Sequence, residues 1–231
     1  MTLPPIVPDA RWAVWLLGVD GTVFSGDVAV QAFARHAGTT LTDDGRRTLI
    51  AAMRGLLERR RGLLPAGVDL AAAQNGHQAV AVTARSLGVS DDDLAAAHRA
   101  ARVDLARTAW MLDPADGLTD LLAHPRVGPV HLVADPPDDP AVPEVLAAVV
   151  PDGRIHPSAA PGWAAETAAG PVLVVADAWS AMTEDAARAG AAVAVLDRFD
   201  RRAGTPAVTV RSLADLVTAL GPGIPSERTA P

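Results

Sequence analysis

The stretch WAVWLLGVDGTVFSG, residues 12–26, decides the fold. Its first part, residues 12–18, is an apolar run rich in Trp, Val and Leu, which is typical of a parallel strand buried on both faces. The DGT at residues 20–22 predicts a tight acidic turn directly after that strand. We therefore expect Asp20 at the carboxyl end of a buried strand, where open α/β sheets bind their ligands.

Beyond this strand, apolar residues recur at the spacing that is typical of helices. Four segments have helical spacing and no strand signal interrupts them, namely 27–38, 42–62, 69–88 and 90–112. The fourth begins with Ser90 followed by Asp93 three residues later, a pattern close to a capping box. These segments predict an all-helical insertion at residues 27–112.

Short apolar runs alternate with helical segments after residue 113. The predicted strands lie at 128–135, 171–177, 191–197 and 207–210, and the predicted helices at 117–125, 140–150, 183–190 and 212–220. Alternation of this kind predicts an α/β fold with a doubly wound, mostly parallel sheet. The expected organisation is a core of residues 1–26 and 113–222, the insertion at 27–112, and a disordered tail at 223–231.

Composition excludes several classes of function. The chain has 231 residues, a net charge of −7, no cysteine, and twenty basic residues that are all arginine. Disulfides, thiolate nucleophiles and lysine chemistry are therefore impossible. The acidic balance disfavours nucleic acid, and no apolar stretch approaches the ~20 residues of a membrane span. We expect a cytoplasmic protein with neither nucleic acid nor membrane as partner, whose oligomeric state the sequence leaves open.

Two motifs and their spacing carry a family resemblance. LLGVDGTVF (16–24) resembles the first motif of the haloacid dehalogenase superfamily, a strand that ends in D-x-D-G-T-[LV]. VVADAWSAMTEDAARAGA (174–191) resembles its fourth motif, and VHLVAD (130–135) occupies the position of the second. The helical insertion between the first two motifs is similar to the family's C1-type cap. The resemblance covers residues 12–220 and implies a Rossmann-like core with a helical cap.

The resemblance also implies a chemistry, which is phosphoryl transfer through an aspartyl-phosphate. In the family the first Asp attacks phosphorus, and a second Asp two residues on acts as general acid and base. A Ser or Thr and a Lys bind the phosphate. Mg²⁺ is held by the first Asp, the backbone carbonyl of the second and an Asp of the fourth motif.

This chain departs from that pattern at its first motif. Gly18 stands at the attacking position, and a glycine has no side chain with which to act as a nucleophile. Asp20 and Thr22 keep their positions, so Asp20 is the candidate acid/base group.

The other motifs depart as well. Ala134 replaces the hydroxyl of the second motif and is followed by Asp135, which is expected to line the site. The third-motif Lys is missing, and Arg154 or His156 lies in about that region. Asp177 is retained in the fourth motif. The position of that motif's second acid corresponds to Ala181 or Met182, and neither can bind a cation. One or two carboxylates make at best a weak Mg²⁺ site at Asp177, and no other cofactor is expected.

These departures predict a protein that has lost phosphatase chemistry and binds a small molecule in the cleft between core and cap, or a protein partner. The expected ligand-binding residues are Gly18, Thr22, Ala134, Asp135, His156 and Trp179. Trp179 could instead pack in the core.

Two enzymatic alternatives stay open. In one, Asp20 and Asp177 serve an altered chemistry as acid/base groups. In the other, the chain is a residual phosphatase in a shifted register, with Asp20 as nucleophile and Thr22 two residues on. Asp20 could also be purely structural, since aspartate is a good turn residue.

Overall fold

A parallel sheet forms the centre of the protein. The computed structural model describes residues 11–24, 26–58, 69–108, 112–133, 155–158 and 162–221. Within these residues six strands pair in parallel: Trp12–Leu17 (β1), Val127–Val133 (β2), Ile155–Ser158 (β3), Val172–Ala176 (β4), Ala192–Leu196 (β5) and Val208–Val210 (β6). The order β3-β2-β1-β4-β5-β6 reverses its direction between β1 and β4, the place at which open α/β sheets form a ligand crevice.

Helices account for most of the remaining described chain. They are Val28–Ala37 (α1), Asp43–Leu57 (α2), Gly76–Ser86 (α3), Asp91–Arg107 (α4), Leu118–Ala123 (α5), Trp163–Ala169 (α6), Ala181–Arg188 (α7) and Leu213–Leu220 (α8). The first four follow one another directly after β1, and the others alternate with strands. The predicted α/β fold with a doubly wound sheet and a helical insertion after strand one is confirmed.

β1 supplies side chains to both faces of the sheet because successive residues of a strand point in opposite directions. Trp12, Val14 and Leu16 belong to one buried cluster, which also holds residues of α1, α4, α5 and α8. Trp15 and Leu17 belong to a second hydrophobic cluster, where α6 and α7 cover the opposite face of the sheet. The uninterrupted apolar run in the sequence follows from this position between two hydrophobic layers.

Side-chain caps define where several helices begin. Ser90 accepts a hydrogen bond from the backbone N–H of Asp93 at 3.1 Å, which confirms the predicted start of α4. Asn75 accepts from the backbone N–H of Gln78 at 2.9 Å and so begins α3. The sequence predicted a helix from residue 69, but the chain forms turns before Asn75 and the helix is shorter.

The chain leaves the core and returns to it through paired segments. Phe24 forms an antiparallel bridge with Pro114, and the backbone N–H of Ala115 donates to the carbonyl of Val23 at 2.8 Å. The bridge joins the exit from β1 to the return from α4. The helical block α1–α4 is thereby held above the carboxyl end of the sheet.

Two elements were missed by the sequence analysis. β3 contains Pro157, which lacks a backbone N–H and is tolerated on an edge strand such as this one. α6 has only seven residues and lies between two glycines. The predicted helix at 140–150 and the predicted tail at 223–231 lie outside the described residues, and the domain boundaries stay a prediction. None of the helices in the described ranges has the length and apolarity that crossing a bilayer requires.

The close packing of α8 against the residue before α5 gives the first testable prediction. Gly117 has φ +85°, and a Cβ there would lie 2.5 Å from the Cα of Ala214 and 2.7 Å from the carbonyl carbon of Leu213. Gly88 has φ +92° but nothing within 4 Å of its Cβ position. We expect Gly88→Ala to lose about 1 kcal/mol of unfolding free energy from backbone strain. Gly117→Ala should lose at least about 2 kcal/mol more from overpacking.

Urea unfolding of both variants at one temperature measures this difference. Gly88→Ala is the matched control, since it carries the same kind of backbone strain without the steric conflict. Equal losses in the two variants would contradict the packing of α8 against Gly117.

Candidate functional site

The site begins where β1 ends. Gly18 is the first residue after the strand, and its N–H donates to the carbonyl of Val133 at 2.9 Å. Gly18 has φ +83°, a backbone conformation that residues with a side chain adopt only with strain. A Cβ would nevertheless fit there, with the nearest non-neighbouring heavy atom, the carbonyl oxygen of Asp20, at 3.7 Å. The position therefore favours glycine through its dihedral angle rather than through lack of space.

The DGT turn is fixed by Thr22 and by a close approach to β4. Thr22 is fully buried, and its hydroxyl donates to the carbonyl oxygens of Gly18 and Leu17. Gly21 has φ +87°, and a Cβ at this residue would lie 2.8 Å from both the Cβ and the Cγ of Asp177. The turn after β1 is thus packed against the first residue after β4, which brings Asp20 and Asp177 to one place.

Asp20 is bound by the helical block. Arg102 of α4 donates to its Oδ2 at 2.5 Å, and the Nε2 of His77 in α3 lies 3.4 Å from the same oxygen. The Arg102 side chain is 3% exposed and that of Asp20 is 13% exposed. A buried ion pair of this kind is costly to break, because removal of one partner leaves the other charge uncompensated.

Arg102 was not found by sequence reasoning, although a signal was available. It lies on the buried face of α4 beside Ala101 and Leu105. Arginine is almost never fully buried unless it is paired. An arginine placed among apolar helix positions therefore indicates an acidic partner elsewhere in the fold, but the sequence does not say which one.

Asp177 is bound by the start of α3. The Nδ2 of Asn75 donates to its Oδ2 at 2.8 Å. Burial, together with the negative charge of Asp20, raises the pKa of the Asp177 carboxyl to about 7, against the opposing effect of the Asn75 hydrogen bond. Asp177 therefore changes its charge near neutral pH, unlike an ordinary aspartate.

Two aromatic rings pack against His77. The ring of Phe33 stacks on it with 5.7 Å between centroids, and the ring of His98 meets it edge-on at 6.0 Å. Burial lowers the pKa of His77, and this effect outweighs the attraction of Asp20, which acts in the opposite direction. His77 is consequently neutral at pH 7.

Trp179 connects the helical block to the loop after β4. Its backbone N–H donates to the Oε1 of Gln74 at 2.6 Å, and its carbonyl accepts from the Nε2 of the same side chain at 2.9 Å. The indole N–H donates to Glu184 at 3.1 Å, and the ring covers Gly204 so closely that no Cβ could stand there. The ring packs with the second hydrophobic cluster. Ligand binding by Trp179 stays a prediction.

Two cavities open between the helical block and the sheet. The Gly18 cavity, of about 240 Å³, is lined by Gly18, Val19, Asp20, Asn75, His77, His98, Arg102 and Asp177. The β5 cavity, of about 150 Å³, shares Asp20, Asn75, His77 and Asp177 with it. Its other wall includes Leu196 and Phe199 near the end of β5 and Val30 and Leu57 of the helical block. The structure thus brings the predicted residues Gly18, Asp20 and Asp177 together.

The remaining predicted site residues are placed as follows. Thr22 lies beneath the turn with its hydroxyl on the backbone, so it holds the turn rather than facing either cavity. Ala134 and Asp135, which directly follow β2, lie outside the described residues. His156 lies on β3, where only the backbone is described. Ala181 and Met182 are the first residues of α7.

The magnesium ion that the family resemblance implies would find few ligands among the described residues. Gly18 offers no carboxylate at the position of the first ligand, and the Oδ2 of Asp177 accepts a hydrogen bond from the amide of Asn75, which competes with a cation for that oxygen. In the described part of the chain, no three His, Asp or Glu side chains lie close enough to share a metal ion. A hard divalent cation needs more oxygen ligands than these.

Comparison with solved structures identifies the fold. A candidate phosphoglycolate phosphatase from Lactobacillus plantarum superposes with a TM-score of 0.51 at 12% identity, over 91% of this chain and 99% of that chain. A haloacid dehalogenase-like protein of unknown function from Agrobacterium tumefaciens gives 0.51 at 16% identity, over 90% and 97%. A candidate hydrolase of this superfamily from Bacillus subtilis, solved with magnesium, gives 0.45 at 15% identity, over 91% and 99%.

At these identities the likeness shows the fold alone. The chain has the fold of the haloacid dehalogenase superfamily, so the resemblance drawn from its motifs is confirmed at that level. No protein-family model and no curated protein sequence matches the chain.

The raised pKa of Asp177 makes stability depend on pH. The folded protein holds this proton more tightly than the unfolded chain, so the contribution to stability falls as the pH rises from about 4 to about 7. We expect Asp177→Asn, which keeps an acceptor for Asn75, to be more stable than the native chain at pH 8. The gain should exceed about 1 kcal/mol after allowance for partial exposure, and it should shrink below pH 5.

Urea unfolding across this pH range checks the expectation. Asp120→Asn makes the same charge change at an exposed position of α5 and is the control. A stability difference between Asp177→Asn and the native chain that does not vary with pH would refute the assigned shift.

The Asp20–Arg102 pair should show strong energetic coupling. Arg102→Met alone is expected to cost about 3 kcal/mol, because it leaves the Asp20 charge buried without its cation. The double variant with Asp20→Asn should lose less than the sum of the two single variants by at least about 1 kcal/mol.

A double-mutant cycle by urea unfolding at pH 7 measures this coupling. The pair of Arg85 and Asp91, 2.7 Å apart but 54% and 79% exposed, is the matched control and should couple by less than about 1 kcal/mol. Additive losses at Asp20 and Arg102 would mean that the two side chains are not partners in solution.

Proposed function

We propose that this protein does not carry out aspartyl-phosphate chemistry and acts by binding a small molecule between its helical block and the carboxyl end of its sheet. The observation that carries the proposal is which residues follow β1 and β4, and which side chains they contact. A glycine follows β1, and the two nearby carboxylates are engaged by side chains of the helical block. In this proposal, the strand ends of the described chain therefore serve to bind rather than to transfer a phosphoryl group.

The position of Gly18 supports the loss of the nucleophile. It directly follows β1, where the family resemblance puts the attacking aspartate, and it lines a cavity. Asp20 is a poor substitute, since its Oδ2 forms a buried ion pair with Arg102. A carboxylate that is held by a guanidinium is less nucleophilic than a free one, because part of its charge is neutralised.

A small molecule fits the structure better than a protein partner. The two cavities lie next to polar side chains and apolar walls, as ligand sites usually do. Val103 is the one large hydrophobic side chain that is exposed in the described ranges. Surfaces that dock proteins usually present a contiguous apolar patch, and a single valine does not form one.

A second candidate function is an enzyme of altered chemistry. Asp177 has a pKa of about 7, which suits a general acid or base at neutral pH. Asp20 would act with it, and the neutral His77 beside Asp20 adds a possible proton acceptor. A substrate conversion that is lost in Asp177→Asn and in Asp20→Asn, with folding intact, would favour this candidate over binding alone.

We expect the purified protein to show no magnesium-dependent hydrolysis of generic phosphate esters. A missing covalent nucleophile commonly costs several orders of magnitude in rate. Release of inorganic phosphate from p-nitrophenyl phosphate is the measurement, with chelator-treated protein as the control. Hydrolysis that requires magnesium and disappears in Asp20→Asn would overturn the proposal and favour the shifted register.

Ligand binding itself is tested by thermal unfolding against a library of small metabolites. A ligand that binds only the folded state raises the melting temperature by mass action. Hits should lose their effect when cavity residues are substituted, for example in Leu196→Trp, which would fill the β5 cavity. A library in which nothing shifts the melting temperature would count against a binding function.

A further inference from the structure

We propose that the group held at the junction of the two cavities is a protonated amine, so that the ligand is a small primary alkylamine or amino acid. This inference rests on the proposed binding function and names the chemistry of its ligand. It follows from the balance of donors and acceptors around Asp20 and Asp177, from the charge of the facing groups and from the apolar wall beside them.

The junction leaves one carboxylate acceptor for a ligand. The Nδ2 of Asn75 is already directed at Asp177, and the Nη1 of Arg102 at Asp20. The Oδ1 of Asp20 is a buried acceptor that no donor of the described residues reaches. A ligand that completes this arrangement must bring donors. An alkylammonium supplies three donors and no acceptor.

The charged groups at the junction itself sum to a negative value when Asp177 is ionised, whereas Asp116, Arg198 and Arg211 line only the β5 cavity. Two carboxylates, Asp20 and Asp177, line both cavities, whereas the buried cation Arg102 is paired with Asp20. The nearest histidine, His77, is neutral. Asp177 therefore has an amide but no cation among its described partners. Next to Asp177 an anionic group would be repelled, whereas a cation would compensate a charge that burial makes costly.

The wall of the β5 cavity fits the rest of such a ligand. Val30, Leu57, Leu196 and Phe199 give it an apolar lining next to the carboxylates. Its volume of about 150 Å³ equals that of about five water molecules. An ammonium at Asp177 with a chain of about four carbons along this wall would fill it.

Arg211, at the other side of this cavity, could distinguish an amino acid from a simple alkylamine. Its exposed side chain lines the cavity, and its backbone N–H donates to the Oδ2 of Asp215. A ligand with a carboxylate at its far end could reach this guanidinium, whereas a simple alkylamine would not need it. The ammonium end is common to both.

Isothermal titration calorimetry at pH 8 with four ligands of equal chain length tests the inference. The probes are butylammonium, 4-aminobutanoate, butanoate and butan-1-ol. The two amines should bind at least tenfold more tightly than butanoate and butanol, since only they offer a cation to the carboxylates. Tighter binding of 4-aminobutanoate than of butylammonium would identify an amino acid, and the reverse an alkylamine.

Asp177→Asn is the test variant, because it keeps the shape of the side chain and the acceptor for Asn75 but removes the charge. Binding of both amines should weaken at least tenfold, whereas Asp120→Asn should bind as the native chain does. Circular dichroism confirms that both variants are folded. The comparison among the four ligands on the native chain needs no variant at all.

Each other outcome overturns the inference. Equal or tighter binding of butanoate or butanol would show that the junction does not select a cation. Amine binding that is unchanged in Asp177→Asn would put the ammonium elsewhere, and no binding of either amine at millimolar concentration would exclude this ligand class. In these cases, a ligand of another chemical class found in the thermal-shift library would leave the proposed binding function intact. If no compound of the library binds either, the binding function and the amine inference are both refuted.

Discussion

The buried ion pair between Asp20 and Arg102 is the interaction on which the architecture of the site depends. Asp20 belongs to the turn after the central strand, and Arg102 to a helix of the inserted block, so the pair joins the two parts of the chain through a buried contact. The bond of Asn75 to Asp177 and the paired bonds of Gln74 to the backbone of Trp179 lie beside it. Carboxylates at the strand ends thus hold the helical block in place.

The hydrogen bonds of Asp20 and Asp177 affect which functions this site can have. Each of the two carboxylates has a donor from the helical block. The glycine after β1 has a dihedral angle that a side chain would strain. The fold of a hydrolase superfamily is therefore compatible with a role in binding, since function depends on the site and not on the architecture.

The sequence predicted the fold well where hydrophobic periodicity was strong, and less well where it was not. β1 and the helical block have long regular patterns, because one is buried between two layers and the other packs along one stripe. β3 was missed because a four-residue edge strand with Pro157 has no such pattern. The helix at 69–88 was predicted too long, because the side chain of Asn75 starts the helix late, whereas apolar spacing alone continues through the preceding turn.

By itself, the amino-acid sequence determined the fold class, the insertion after strand one, and the absence of lysine, cysteine and a carboxylate at position 18. These are properties of residue type and local spacing. Only the tertiary structure decided that Asp20 meets Arg102 and that Asp177 meets Asn75, partners that are 82 and 102 positions apart in the sequence. Pairings at that separation depend on how the helical block lies over the sheet, and neither charge nor periodicity in one sequence specifies which buried cation reaches which carboxylate.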